Sequence, residues 1–236
     1  MVNNNMALPK IYVALDCQTQ EAADNLVSQL PAGKVGLKVG KELFTAIGPD
    51  WVKKQVEQGF SVFLDLKFHD IPNTVAKAVT SAAKIGVDIV NVHASGGTEM
   101  MSAARDALKQ FDKPPLLIAV TVLTSMSDSD LNEIGIQATA EQQVLKLAKL
   151  AQQAGLNGVV CSAQEARMLK HDLGTSFKLV TPGIRPANSA TGDQKRVMTP
   201  EAAIEAGVDY MVIGRPITQA ADPTASVAEI LTSIGE

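Results

Sequence analysis

Five ionisable residues fall where short apolar runs end or turn. Asp16 closes the run 11–16, Lys38 lies within 35–39, Asp65 and Lys67 sit inside 61–68, and Asp70 follows just beyond. Successive side chains of a strand point to opposite faces, so Asp65 and Lys67 share a face, roughly 7 Å apart along the chain. They therefore project an anion and a cation into one cavity. Asp70, in the following turn, can approach from another direction, and Lys38 adds a second cation from the neighbouring strand. The plainer account of Lys38, Asp65, Lys67 and Asp70 is a structural ion-pair network. Buried pairs are often neutral or unfavourable for stability, however, so four charges converging on one place point to function. Charges fixed before reaction suit electrostatic stabilisation of a charge that develops in the transition state.

Those residues converge only if the runs that carry them lie side by side. β-Branched runs at 11–16, 35–39, 61–68, 89–93, 116–123, 158–162, 177–181 and 210–213 alternate with helical patterns. The helices are expected at 21–30, 42–58, 73–85, 99–110, 128–134, 140–154, 164–171, 200–206 and 224–234. Such alternation implies parallel βαβ units. The near-continuous apolar character of the runs implies that both sheet faces are covered. Eight units in 236 residues fit an α/β fold closed as one (β/α)8 TIM barrel. It would form a single domain over 1–236, with 1–9 a short N-terminal arm. An open doubly wound sheet is the alternative, but no Gly-x-Gly-x-x-Gly follows the first run.

In a TIM barrel the chemistry sits at the C-terminal ends of the strands. Polar residues that are costly to bury fall there: Asn91 and His93 end the fourth run, Thr124 and Ser125 follow the fifth, and Gly214-Arg215 follows the eighth. Barrels often bind phosphate after the eighth strand, so Arg215 reads as an anion ligand rather than a surface cation. His69 and His93 lack the supporting Cys or Glu spacing of a metal site and read as hydrogen-bonded structural residues. No metal ligand set is expected. Cys17 reads as a packed thiol, His171 as solvated, and Trp51 as packing.

Composition sets outer bounds. Apolar residues at 46% and charged residues at 19% make an ordinary globular mixture, not a disordered one. The formal charge of −4 argues against a nucleic-acid surface. Two cysteines, Cys17 and Cys161, suit reduced thiols in a cytoplasmic protein. There is no apolar run long enough to span a membrane and no signal-peptide pattern at 1–6, so no membrane partner is expected.

The segment Phe63-Leu64-Asp65-Leu66-Lys67-Phe68-His69-Asp70-Ile71-Pro72-Asn73-Thr74 carries Asp-x-Lys-x-x-Asp-Ile-Pro-x-Thr. It closely resembles the signature of the orotidine 5′-phosphate decarboxylase family, bacterial type. The likeness continues through Ala14-Leu15-Asp16, Gly36-Leu37-Lys38-Val39-Gly40, Leu123-Thr124-Ser125, Thr181-Pro182-Gly183-Ile184-Arg185 and Ile213-Gly214-Arg215-Pro216-Ile217. It implies metal- and cofactor-free conversion of orotidine 5′-monophosphate (OMP) to UMP and CO₂, the last step of de novo pyrimidine nucleotide synthesis. It also implies a homodimer with active sites at the interface.

The same resemblance distributes the roles. Lys67 protonates C6 of the pyrimidine, Asp65 lies beside the substrate carboxylate, and Asp16 and Lys38 meet the ribose hydroxyls. Asp70, Ile71 and Thr74 reach across the dimer interface into the partner's site. Thr124 or Ser125 meets the pyrimidine edge, Pro182 joins the substrate contacts, and Arg185, Gln194, Gly214 and Arg215 hold the phosphate. The long loop 182–197 is the candidate lid, with Gly183 and Gly192 as hinges and Gln194 gripping the phosphate on closure.

Two rivals remain at this point. A Mg²⁺-dependent sugar-phosphate decarboxylase or aldolase of the same superfamily also carries Asp-x-Lys-x-x-Asp, but tends to have Glu where Lys38 sits; a lysine there repels a metal. A non-catalytic phosphate-binding barrel needs only the phosphate grip, and the retention of both Asp65 and Lys67 speaks against it.

Overall fold

The apolar runs pair in sequence order, each parallel to the next, and the last returns to the first, closing a barrel. The computed structural model describes residues 8–186 and 198–236. Most of the expected arm 1–9, and Gly192 and Gln194 of the expected lid, lie outside the described residues. The strands are β1 Ile11–Leu15, β2 Gly36–Gly40, β3 Val62–Phe68, β4 Ile89–His93, β5 Leu116–Val120, β6 Gly158–Val160, β7 Lys178–Thr181 and β8 Tyr210–Ile213. The helices are α1 Gln20–Val27, α2 Lys41–Ile47, α3 Pro49–Glu57, α4 Pro72–Ile85, α5 Gly97–Leu108, α6 Asp128–Glu133, α7 Ala140–Gln153, α8 Ala166–Leu173, α9 Pro200–Ala206, α10 Arg215–Thr218 and α11 Pro223–Ser233.

Alternation along each strand sorts side chains into two layers. Residues such as Val13, Leu15, Leu37, Val39 and Leu64 face the helices and form the larger core. Tyr12, Ala14, Phe63, Ile89, Ile118, Val180 and Val212 fill the bore. The Tyr12 ring stands edge-on to both Phe63 and Tyr210. It fits because Gly36 faces it: a Cβ on Gly36 would lie 2.4 Å from Tyr12 Cε1. The bore is thus plugged by largely apolar side chains, and Asp16, Lys38, Asp65 and Lys67 gather at the C-terminal mouth. At the opposite end, Asp88, Asn157 and Asp209, each just ahead of β4, β6 or β8, accept from the backbone N–H of Val62, Leu117 and Leu179. These bonds tie neighbouring strands together away from the mouth.

Several boundaries differ from expectation, for local reasons. The helix expected over 42–58 is two helices, because Gly48 turns the chain at φ +78° and Pro49 opens α3. The fifth strand ends at Val120 rather than 123, where its pairing with both neighbours stops, at His93 of β4 and Val160 of β6. A short helix, α10, which is not among those expected, follows Gly214. The helix α4 starts at Pro72, whose missing N–H costs nothing at that position, and ends at left-handed Gly86.

Candidate active site

The signature segment does not run as a regular strand. Phe63 and Leu64 pair with Ile89 and Val90, but the next pair is Phe68 with Val92, so Asp65, Leu66 and Lys67 together oppose Asn91. This bulge, not plain alternation, aims the Asp65–Lys67 pair. Lys67 has φ +53°, the one non-glycine with positive φ among the described residues. A left-handed backbone costs an ordinary L-residue about 1–2 kcal/mol. Such strain persists only where the surroundings hold it. Here the Lys67 backbone N–H donates to Asn91 Oδ1 at 2.8 Å, and Asn91 Nδ2 donates to Asp65 Oδ1 at 2.7 Å. Lys67 Nζ donates to that same oxygen at 2.7 Å.

Register brings the second cation in. Gly40 pairs with Asp65, and Lys38, two residues back, shares its inward face. Lys38 Nζ lies 3.3 Å from Asp16 Oδ1 and 3.9 Å from Asp65 Oδ2. Gly40 leaves room for the ammonium, since a Cβ there would sit 3.3 Å from Nζ. The result is one chain of alternating charge, Asp16–Lys38–Asp65–Lys67. Its side chains are 67%, 12%, 14% and 25% exposed, so the last three interact with little screening from water.

These groups line a cavity of about 270 Å³ at the barrel mouth. Its floor is apolar, formed by Ala14, Phe63, Val160 and Val212. Thr124 forms part of the wall, and Pro182, Arg185, Gly214 and Arg215 belong to the same cavity. Arg185 is buried, and its backbone N–H donates to Met198 O at 3.0 Å. Burial and then the neighbouring Arg215 hold its guanidinium below the usual value. Two like charges kept this close favour a ligand with at least two negative charges, and planar guanidinium forks match phosphate oxygens.

Nine expected contact residues therefore line one cavity: Asp16, Lys38, Asp65, Lys67, Thr124, Pro182, Arg185, Gly214 and Arg215. Asp70, Ile71 and Thr74 do not line it. They are exposed at the start of α4, with Ile71 66% exposed and its N–H bonded to Asp70 Oδ1 at 2.7 Å. Ser125 also lies off the cavity, in an adjoining shallow groove with Ser127 and Ser129. Of the two residues considered for the pyrimidine edge, only Thr124 faces the cavity. The apolar floor was not anticipated, because Val160 and Val212 look like any core residue in sequence. His69 and His93 pack ring against ring, centroids 5.4 Å apart. Burial, then His69, Lys41 and Lys67, keep His93 below the usual histidine value despite Asp65, so it is neutral at pH 7. Burial, Asp16 and Glu42 raise the Cys17 thiol, which makes it a poor nucleophile. Among the described residues no group of three His, Cys, Asp or Glu is placed to hold a metal, and no helix is long and apolar enough to cross a membrane.

Known proteins are similar to this chain in sequence and architecture. The family model described as Orotidine 5′-phosphate decarboxylase / HUMPS family matches residues 9–230. An orotidine 5′-phosphate decarboxylase of Pseudoalteromonas translucida is 64% identical over 226 residues, 95% of this chain and 97% of the relative. One from Photobacterium profundum is 61% identical, over 96% of this chain and 98% of the relative. The crystal structure of orotidine 5′-phosphate decarboxylase from Lactobacillus acidophilus superimposes with a TM-score of 0.88 at 42% identity, covering 98% of this chain and all of that one (100%).

Proposed function

Because the chain belongs to the orotidine 5′-phosphate decarboxylase / HUMPS family, we propose that it decarboxylates OMP to UMP and CO₂ without a metal or organic cofactor. The observation that carries this reading is the Lys67 ammonium, fixed to Asp65 at 2.7 Å in a cavity that also holds two neighbouring arginines.

Breaking the C6–CO₂ bond leaves an electron pair on a ring carbon with no adjacent π-sink. A preset ammonium stabilises that pair electrostatically and then supplies the proton, giving a C6–H bond and neutral Lys67. Solvent returns the proton to Lys67, so each turnover consumes one proton from water. A free carboxylate ~4 Å from the substrate's would repel it by about 4 kcal/mol at an effective dielectric of ~20. Asp65 is not free: Lys67, Asn91 and Lys38 surround it. That supports a positioning role for Asp65, which holds Lys67 Nζ in place, over a role in stressing the substrate.

Asp16 and Lys38 take the ribose hydroxyls, Thr124 the base edge, and Arg185, Arg215 and Gly214 the phosphate. Gln194 would join them as segment 182–197 closes. Closure powered by the remote phosphate lowers the barrier at C6 without touching it. Lys38 also bears on the metal question. Its Nζ lies against both Asp16 and Asp65, the oxygens a magnesium ion would need. The donor set fits an ammonium better than Mg²⁺. The assay is direct: loss of orotidylate absorbance on adding purified, metal-free protein, at a rate unchanged by EDTA. Complete loss on chelation would return the case to the Mg²⁺-dependent branch.

The exposed Asp70, Ile71 and Thr74 support a homodimer in which each protomer completes its neighbour's site. Lys67→Ala and Asp70→Ala proteins, each inactive alone, should regain activity on mixing. In random exchange half the dimers are mixed and each holds one intact site, so roughly a quarter of the sites are restored. No recovery after demonstrated subunit exchange would exclude a shared site.

A further inference from the structure

The buried residue that holds the Asp65–Lys67 pair in shape is itself outside the cavity. Asn91 is fully buried in β4. It faces the three-residue bulge of β3 alone, and it is absent from the cavity wall. Its side chain makes two bonds. A backbone N–H can only donate, so the amide oxygen must face Lys67 N, at 2.8 Å. That leaves the amide NH₂ for Asp65 Oδ1, at 2.7 Å. One amide thus satisfies the strained backbone of the lysine and orients the carboxylate that receives its ammonium.

We propose that Asn91 is a positioning residue for the proton-delivering lysine, setting the backbone of Lys67 and the carboxylate of Asp65 together. Resting on the decarboxylase reading, this assigns a task to a residue that touches no substrate. An apolar residue of the same size would fill the space but leave the Lys67 N–H without a partner and take one of the two donors from Asp65 Oδ1. Lys67 would then relax from φ +53°, and Nζ would move relative to the cavity. A misplacement of about 1 Å in a reacting group costs about 100-fold in rate.

The distinguishing experiment uses Asn91→Asp and Asn91→Leu in the full-length protein. Protonated, an Asp at 91 reproduces the amide: its carbonyl accepts from Lys67 N–H and its hydroxyl donates to Asp65. Ionised, it places a second carboxylate against Asp65, and the two then compete for one proton and for Lys67 Nζ. The charged groups facing it are Asp65 and Lys67 on β3, with Lys38 beyond Asp65, and neutral His93 on its own strand. On β5 its register partner is Ile118, which brings no charge.

N91D should show kcat about 100-fold below wild type at alkaline pH, with the deficit shrinking as pH falls. KM and UMP affinity should stay within about threefold. N91L should be low in kcat at every pH, again with near-normal UMP affinity. A packing role alone would not give N91D a pH-dependent deficit. The proposal is overturned if N91D matches wild type across the pH range, if its deficit is pH-independent, or if both variants lose the fold. Wild type inert toward orotidylate would sink the decarboxylase reading and this proposal with it; an active wild type with an unimpaired N91D would sink only the latter.

Discussion

Lys67→Ala should lower kcat for OMP decarboxylation by about 10⁵-fold while leaving UMP binding nearly intact. Two contributions are removed together: a positioned proton donor, worth 10²–10⁴ in rate on the order of other general acids, and a preset charge beside the developing carbanion, worth about 10²–10³. The ligand contrast is as informative as the rate. In the variant, Asp65 retains Asn91 and a distant Lys38 but loses its closest cation. OMP then brings a carboxylate towards a poorly compensated one and should bind more weakly than in wild type. UMP has only hydrogen at C6 and escapes that repulsion. Single-turnover CO₂ release and calorimetric titration with both nucleotides check the two halves. CO₂ release at the normal rate would remove Lys67 from the reaction.

The second large effect is expected far from the reacting carbon. Arg215→Ala should cut kcat/KM for OMP by about 10²–10³-fold, since charge-assisted phosphate contacts are strong and their energy is used to drive closure. Part of the loss should appear in kcat. Orotidine, which lacks the phosphate, should react at the same slow rate in wild type and variant. If the variant slowed orotidine as much as OMP, Arg215 would be supporting the fold or the base rather than the phosphate. Arg185 should respond as well. Without Arg215 it loses a repelling neighbour, and its guanidinium should become more basic.

Much of this arrangement was readable from residue order, because the barrel imposes a simple rule. Strand interiors alternate, and chemistry collects where strands end. Asp16, Lys38, Asp65, Lys67 and Arg215 could all be selected as polar groups in or just after apolar runs, Arg185 followed only from the family resemblance, and all six line the cavity. Tertiary effects were not readable. The β3 bulge leaves no mark in a segment that reads as a clean strand, yet it forces Lys67 into a left-handed backbone and makes Asn91 its partner. Val160 and Val212 carry no polar signal, so only their place in the bore reveals them as floor. Gly48 split an expected helix because a glycine followed by proline reads equally as a kink or a stop. Asp70, Ile71 and Thr74 look like site residues in sequence, but they are exposed at the start of α4 and do not line the cavity, because the chain turns away from the mouth into that helix.

The filled bore governs traffic. Tyr12, Ile89, Ile118 and Val180 are completely buried beneath the cavity, so among the described residues there is no rear passage. A substrate entering head-on and the gas split from it must share one doorway. On the proposed function, a nucleotide held by its phosphate would stand between the newborn CO₂ and the exterior. Escape of the small molecule would then be tied to release of that grip, and the affinity that speeds bond breaking would also set how quickly the chamber empties.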